Sequence, residues 1–205
     1  AKAAGVSVGA HIAYPDLQGF GRRPMTIPAP ELEAIILYQL AALSGMARAE
    51  GLSMSHVKPH GALSNMACAS LELARTVAAA VKAFDPALIL LAPALSELCQ
   101  AGYETGLPVV EEIFADRAYL DDGNLVPRRR PDAMIHGAEA SLAHVSAMLD
   151  EQALISVTGK RLPTTIGSIC VHGDGPDAVR TARYLREELL HRGYRLVALD
   201  ALDVA

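Results

Sequence analysis

The chain has 205 residues, a formal net charge of −5 and 51% hydrophobic side chains, with a pI near 5.8 and a mean hydropathy of +0.24. That supplies the core of a single α/β domain spanning 1–205, while no run reaches the ~20 apolar residues of a membrane span and the acidic balance excludes the basic stripe of a nucleic-acid binder. Cys68, Cys99 and Cys170 lack zinc or disulfide spacing and read as reduced thiols of a cytoplasmic protein; no signal-peptide pattern is visible.

In chain order, Val6 to Ile12 is small and β-branched and predicts a buried strand. Glycines and prolines around two arginines make 13–28 a long loop. Pro28 and Pro30 lead into a helix from about Glu31 to Ala49, with Leu32, Ile35, Ile36, Leu40, Leu43 and Met46 near helical spacing and Gly51 as its stop. Met54 to Pro59 reads as a strand and Asn65 to Phe84 as one helix ended by Asp85-Pro86. The apolar run Ala87 to Ala92 has the form of a strand buried on both faces. A helix from Ala94 to Thr105 closed by Gly106 follows, then a strand from Val109 to Phe114. Asp122-Gly123 marks a hairpin excursion between Tyr119 and Pro131. Then come a helix from Glu139 to Asp150, a hairpin from Ile155 to Pro163 turning at Thr158-Gly159, and a strand from Ser168 to Val171. The last elements are a helix from Asp177 to His191 with Gly193 as its stop, and a strand from Arg195 to Leu199. Alternating strands and helices point to a parallel sheet or barrel with right-handed crossovers.

Several of these strands end in polar groups. The first releases His11, Tyr14 and Asp16, then Gly19, Gly21, Arg22 and Arg23; the second releases Lys58, His60 and Asn65. Val109 to Phe114 delivers Asp116, Arg117 and Tyr119, and Ser168 to Val171 delivers His172 and Asp174. Parallel strands keep their chemistry at their carboxyl ends, so these clusters are expected on one rim. The types suit an anionic substrate, since arginines grip carboxylate or phosphate in pairs and glycine lets the backbone approach it. Histidine with aspartate suits acid–base work. His11, His60, His172 and Asp174 can equally ligate a divalent ion, although no dedicated metal spacing is present. A solvated loop is the plain alternative for Arg22-Arg23. His144 and His191 read as helix-surface residues, Arg128 to Arg130 as an exposed run, and Met25, Met46 and Met54 as core fillers. No GxSxG elbow, Walker loop or GxGxxG fingerprint occurs.

Five segments together resemble the LamB/YcsF family. They are Val-Gly-Ala-His with Tyr-Pro-Asp-Leu-Gln-Gly-Phe-Gly-Arg-Arg within 8–23, His-Val-Lys-Pro-His-Gly-Ala-Leu at 56–63, Glu-Ile-Phe-Ala-Asp-Arg-Ala-Tyr at 112–119, Leu-Val-Pro-Arg at 125–128, and Ile-Cys-Val-His-Gly-Asp at 169–174. The resemblance implies an irregular, seven-stranded β/α barrel of the glycoside hydrolase/deacetylase-like kind. It also implies one subunit of an ATP-dependent 5-oxoprolinase, which opens the lactam of 5-oxo-L-proline to L-glutamate together with separate B and C subunits. ATP would come with Mg2+, no tightly bound metal is implied, and a homo-oligomer is compatible.

On this resemblance Lys58 and Arg22 or Arg23 would bind anions, and Asp174 with His172 would activate water or move protons. His60 would orient the reacting group, and His11, Asp16, Asn65, Asp116, Arg117 and Tyr119 would contact substrate. A metal-dependent hydrolase and a folded subunit without turnover are the alternatives. The family pattern starts earlier, with an Asp-x-Asn-x-Asp-x-Gly-Glu strand end and an Ala-Cys-Gly-Phe-His-Ala-Gly-Asp segment that this sequence lacks. The expectation is therefore a barrel incomplete at its N-terminus by roughly two units of about 30 residues. Ile12-Ala13 and Ser64 also depart from the family's Pro-Gly and tyrosine.

Overall fold

The computed structural model describes residues 1–173, 175 and 177–202. It is an α/β fold in which the chain divides into two compact units, residues 1–110 with the segment from Ala198, and residues 111–197. The parallel strands follow the order Val8–Ala10, Met54–Val57, Ile89–Pro93, Val109–Phe114 and Ser168–Cys170. Among the described residues no helix is long and apolar enough to cross a membrane.

In the first unit β1 (Val8–Ala10) pairs in parallel with β2 (Met54–Val57), Gly9 opposite His56. Strand β2 pairs in parallel with β3 (Ile89–Pro93). Helix α1 (Ala29–Ala49) starts two residues ahead of the expected Glu31, because Pro30 fits the first turn, where its missing N–H costs nothing. The expected helix from Asn65 to Phe84 is two, α2 (Gly61–Ala69) and α3 (Leu71–Phe84). Ser70 separates them: its backbone is extended, and its hydroxyl caps α3 by accepting from the Leu73 N–H. Ala74, Val77, Ala78 and Val81 form the buried stripe of α3, and Ser96 caps α4 (Glu97–Thr105). Ile36, Leu40, Val57, Leu63, Val77 and Leu90 meet in the core. Met25 and Met54 pack against that core, whereas Met46, expected inside, is 71% exposed on the outer face of α1.

Strand β4 (Val109–Phe114) begins in the first unit and continues into the second, where it pairs in parallel with β7 (Ser168–Cys170). Between them lie the excursion 116–136, helix α5 (Ala138–Glu151) and the antiparallel pair β5 (Ala153–Ile155) and β6 (Arg161–Pro163). The Asp121 carboxylate pins the excursion by accepting from the hydroxyls of Ser156 (2.6 Å) and Thr158 (2.7 Å). Helix α6 (Ala178–His191) packs on α5 and buries Thr181, Leu185 and Leu189. The strand expected over Arg195 to Leu199 is absent: 194–198 has no regular structure, and a short 3-10 turn begins at Leu199. Leu199 and Leu202 instead pack on Ile89, Leu91 and Val110.

Candidate functional site

The polar side chains gather just past the strands, in a separate cluster in each unit. In the first, pairing outlasts the strands: the Lys58 N–H donates to the Ala10 carbonyl (2.9 Å) and the His60 N–H to that of Ile12 (2.7 Å). Pro59 lies between them. Gly61 then turns with φ +58°, and the N–H of Ala62 donates to the Gly21 carbonyl (2.9 Å). The first turn of α2 is thereby tied to the loop 13–28, and a methyl at Gly61 would sit 2.5 Å from that same carbonyl oxygen.

Asp16 organises the loop. Its buried carboxylate accepts from the Gly19 N–H (3.0 Å), the Arg23 Nε (2.9 Å) and, in a short bond, the Arg23 Nη2. The hydrogen bond from the Arg23 side chain is the main reason the Asp16 carboxyl lies below its usual range. Arg23 is thus committed to Asp16, whereas Arg22 is exposed with its guanidinium 5.5 Å over the Phe20 ring. Gln39, half-buried on α1, grips the loop at Ala13, accepting from its N–H (2.9 Å) and donating to its carbonyl (3.0 Å).

His11 and His60 meet through ring nitrogens, His60 Nδ1 and His11 Nε2 being 3.0 Å apart. Each outer nitrogen faces a carbonyl oxygen, His11 Nδ1 that of Lys58 (2.9 Å) and His60 Nε2 that of Phe20 (2.8 Å). Phe20 stands edge-on to His60, and its own φ of +55° is uncommon outside glycine. Lys58 is half-buried; Asn65 is exposed on α2.

In the second unit His172 donates from Nδ1 to the Asp116 carboxylate, 2.8 Å from each oxygen, while its ring stacks on Phe114. A carboxylate at Nδ1 fixes the tautomer and leaves Nε2 as the basic nitrogen. Arg117 is buried, donates from Nη2 to the Val126 carbonyl (2.8 Å) and leaves Nε without a hydrogen-bond partner among the described residues. Burial lowers the pKa of its guanidinium. Tyr119 is buried with its hydroxyl accepting from the Phe114 N–H (2.7 Å), and burial pushes the phenol far above its ordinary value. Asp174 lies outside the described residues.

His144, expected on the helix surface, is half-buried against Tyr119 and donates from Nε2 to the Arg117 carbonyl (3.0 Å). Burial lowers its pKa. Sequence reasoning also passes over Gln39 and Phe20. Gln39 carries a signal, being the polar member of the apolar series Ile35, Ile36, Leu40 and Leu43; nothing local marks Phe20.

The LamB/YcsF family model matches residues 1–203. The chain belongs to the LamB/YcsF family. It is 58% identical over 202 residues to the A subunit of 5-oxoprolinase from Azoarcus sp. (strain BH72), covering 98% of this chain and 79% of that protein. The A subunit of 5-oxoprolinase from Clostridium beijerinckii is 46% identical over 202 residues, covering 98% and 79%. The crystal structure of the lactam utilization protein from Thermus thermophilus matches with a TM-score of 0.89 at 42% identity, covering 97% of this chain and 79% of that one.

In this LamB/YcsF member Tyr119→Phe removes the hydroxyl that accepts from a buried backbone N–H while keeping the ring. The expected loss is about 1–3 kcal/mol, read as a lower midpoint in urea at unchanged slope. An unchanged midpoint would show that the Phe114 N–H finds another acceptor.

Proposed function

We propose that this chain is the A subunit of an ATP-dependent 5-oxoprolinase that hydrolyses the lactam of 5-oxo-L-proline to L-glutamate. The reading rests on kinship with proteins of that name across 98% of the chain, and the Asp116–His172 pair is chemically suited to it. A lactam is a resonance-stabilised amide and resists water, so hydrolysis at neutral pH needs both an activated carbonyl and an activated nucleophile. ATP, the co-substrate, supplies the phosphoryl group that makes the carbonyl carbon electrophilic. His172 Nε2 accepts a proton from water, and Asp116 stabilises the imidazolium that results.

The first unit suits anions. Arg22 and Lys58 are cations of this cluster and suit a carboxylate or phosphate group. We assign Mg2+ to the nucleotide's phosphates. Separate B and C subunits complete the enzyme, and its use of ATP fits the cytoplasm.

The test is glutamate formation from 5-oxo-L-proline and ATP by the chain mixed with B and C subunits. No glutamate, where the corresponding chain of a relative produces it with the same partners, would sink the reading. In that assay Lys58→Ala is expected to raise KM for 5-oxoproline about tenfold, or ~1.4 kcal/mol of binding. An unchanged KM removes Lys58 from substrate binding.

A further inference from the structure

Helix α5 turns a histidine inward that the chemistry above leaves without a task. His144 lies in the stripe formed by the buried Ser141, Val145 and Met148. A polar ring taken out of water costs stability unless its N–H is bonded. The Arg117 carbonyl only accepts, so the hydrogen of their 3.0 Å bond sits on His144 Nε2. That bond lands one residue from Asp116.

The register of the second unit shows why this place matters. Phe114 pairs with Cys170, so Asp116 and His172 each stand two residues beyond a paired position and meet at 2.8 Å. Sheet pairing carries as far as Ala115, whose N–H donates to the Cys170 carbonyl (2.9 Å). Past it, the Asp116 carbonyl accepts from the Ile135 N–H (3.0 Å) and the Ala118 N–H donates to the Ala133 carbonyl (3.1 Å). Ile135 and Ala133 belong to the excursion itself and move with it. The bond from His144 ties the same segment to a helix of 14 residues. The His144 ring also stacks on Tyr119, whose hydroxyl holds the Phe114 N–H, and Phe114 stacks on His172. Both ends of the Asp116–His172 contact are therefore backed by groups that His144 touches or reaches through Tyr119.

We propose that His144 is a positioning residue for the Asp116–His172 pair: it holds the Arg117 carbonyl, and so fixes the carboxylate that orients the His172 ring. This rests on the reading above, in which His172 Nε2 accepts a proton from water. The pair keeps 20% and 26% of its side-chain surface exposed, so water reaches it, whereas His144 acts from behind and meets no substrate. A neutral and a charged imidazole both donate from Nε2, so the hold is one of geometry rather than of charge.

Three substitutions test it. His144→Phe keeps an aromatic ring against Tyr119 and removes the donor. His144→Gln places an amide N–H near the former Nε2, and His144→Asn carries the same amide too short to reach Arg117. In the reconstituted complex His144→Phe and His144→Asn are expected to lower kcat about 100-fold, with KM for 5-oxoproline unchanged; His144→Gln restores most of the rate. Equal rates for the Gln and Asn variants would overturn the proposal, and that comparison stands even if the Phe variant fails to fold. A raised KM at unchanged kcat would overturn it too. The 15N-histidine-labelled chain alone supplies a second readout, the low-field proton signal of His172 Nδ1–H bonded to Asp116. That signal is expected to move in the Asn variant and to stay in place in the Gln variant; an unmoved signal in both overturns the proposal. The spectra need neither turnover nor partners. No glutamate from the unsubstituted complex defeats the lactam reading, whereas an active complex indifferent to His144→Asn defeats this proposal alone.

Discussion

Gly61→Ala is expected to melt about 6–12 °C below the unsubstituted chain, a loss of ~3 kcal/mol for a protein of this size, and to abolish most of the activity. Gly61 has φ +58°, which an alanine adopts only under strain, and the new methyl would lie 2.5 Å from the Gly21 carbonyl oxygen and 3.1 Å from its carbon. Both are backbone atoms, so no rotamer change relieves the contact. The loop must move off α2, breaking the Ala62–Gly21 hydrogen bond and carrying away Phe20, the acceptor for His60. Gly159→Ala is the control, because Gly159 also has positive φ (+85°) but nothing within 4 Å of the added carbon. It should show the backbone strain without the collision, about 1 kcal/mol. Thermal unfolding followed by circular dichroism decides; equal melting of the two variants would mean that the Gly21 contact costs nothing.

The second large effect belongs to Asp16→Asn, expected to lower kcat/KM in the reconstituted assay about 100-fold, the scale of a loop displaced by an ångström from its working position. An amide keeps the shape but not the charge that holds Arg23. The pH dependence follows from the direction of the shift. Because the folded carboxyl is held below its usual range, its stabilising contribution is fully present above the unfolded value of about 3.9. It is lost as pH falls through the lower folded value. The difference in urea midpoint between the chain and Asp16→Asn should therefore be constant from about pH 5 to 8 and shrink toward zero in stronger acid. A difference that stays constant down to about pH 2 would assign it to shape rather than charge.

Elements are legible in the sequence where one residue type has one local meaning. Gly106 ends α4, and Val109–Phe114 is β4 over its whole expected length. The start of α2 is not legible, because a left-handed glycine usually follows a helix, and here the first turn is tied by the carbonyl of Gly21, far back in the chain. Ser70 is hidden in a periodic run. Arg195 to Leu199 has strand propensity without a neighbour to pair, and propensity alone does not make a strand.

The site divides in the same way. Strand exits mark Asp116, His172, His11 and His60 as individuals, but their pairings depend on sheet register. His60 meets His11 across 49 residues of sequence, and His172 meets Asp116 across 56. Arg23 reads as an anion binder in the sequence, yet its guanidinium is turned onto Asp16 by a loop whose conformation no local pattern specifies.

The pairing of Gly9 with His56 bears on how this chain can vary over time. The His56 ring lies over the α-carbon of Gly9 so closely that an added methyl would fall 2.2 Å from Nε2. Burial lowers the pKa of that ring, and its Nδ1 is tied to the Ser55 hydroxyl at 2.8 Å. Any side chain at position 9 thus requires the imidazole to leave, and a smaller residue at 56 uncovers the floor on which it rests. The two positions are therefore coupled: a substitution at Gly9 alone has to displace the His56 ring, whereas one made together with a smaller residue at 56 does not.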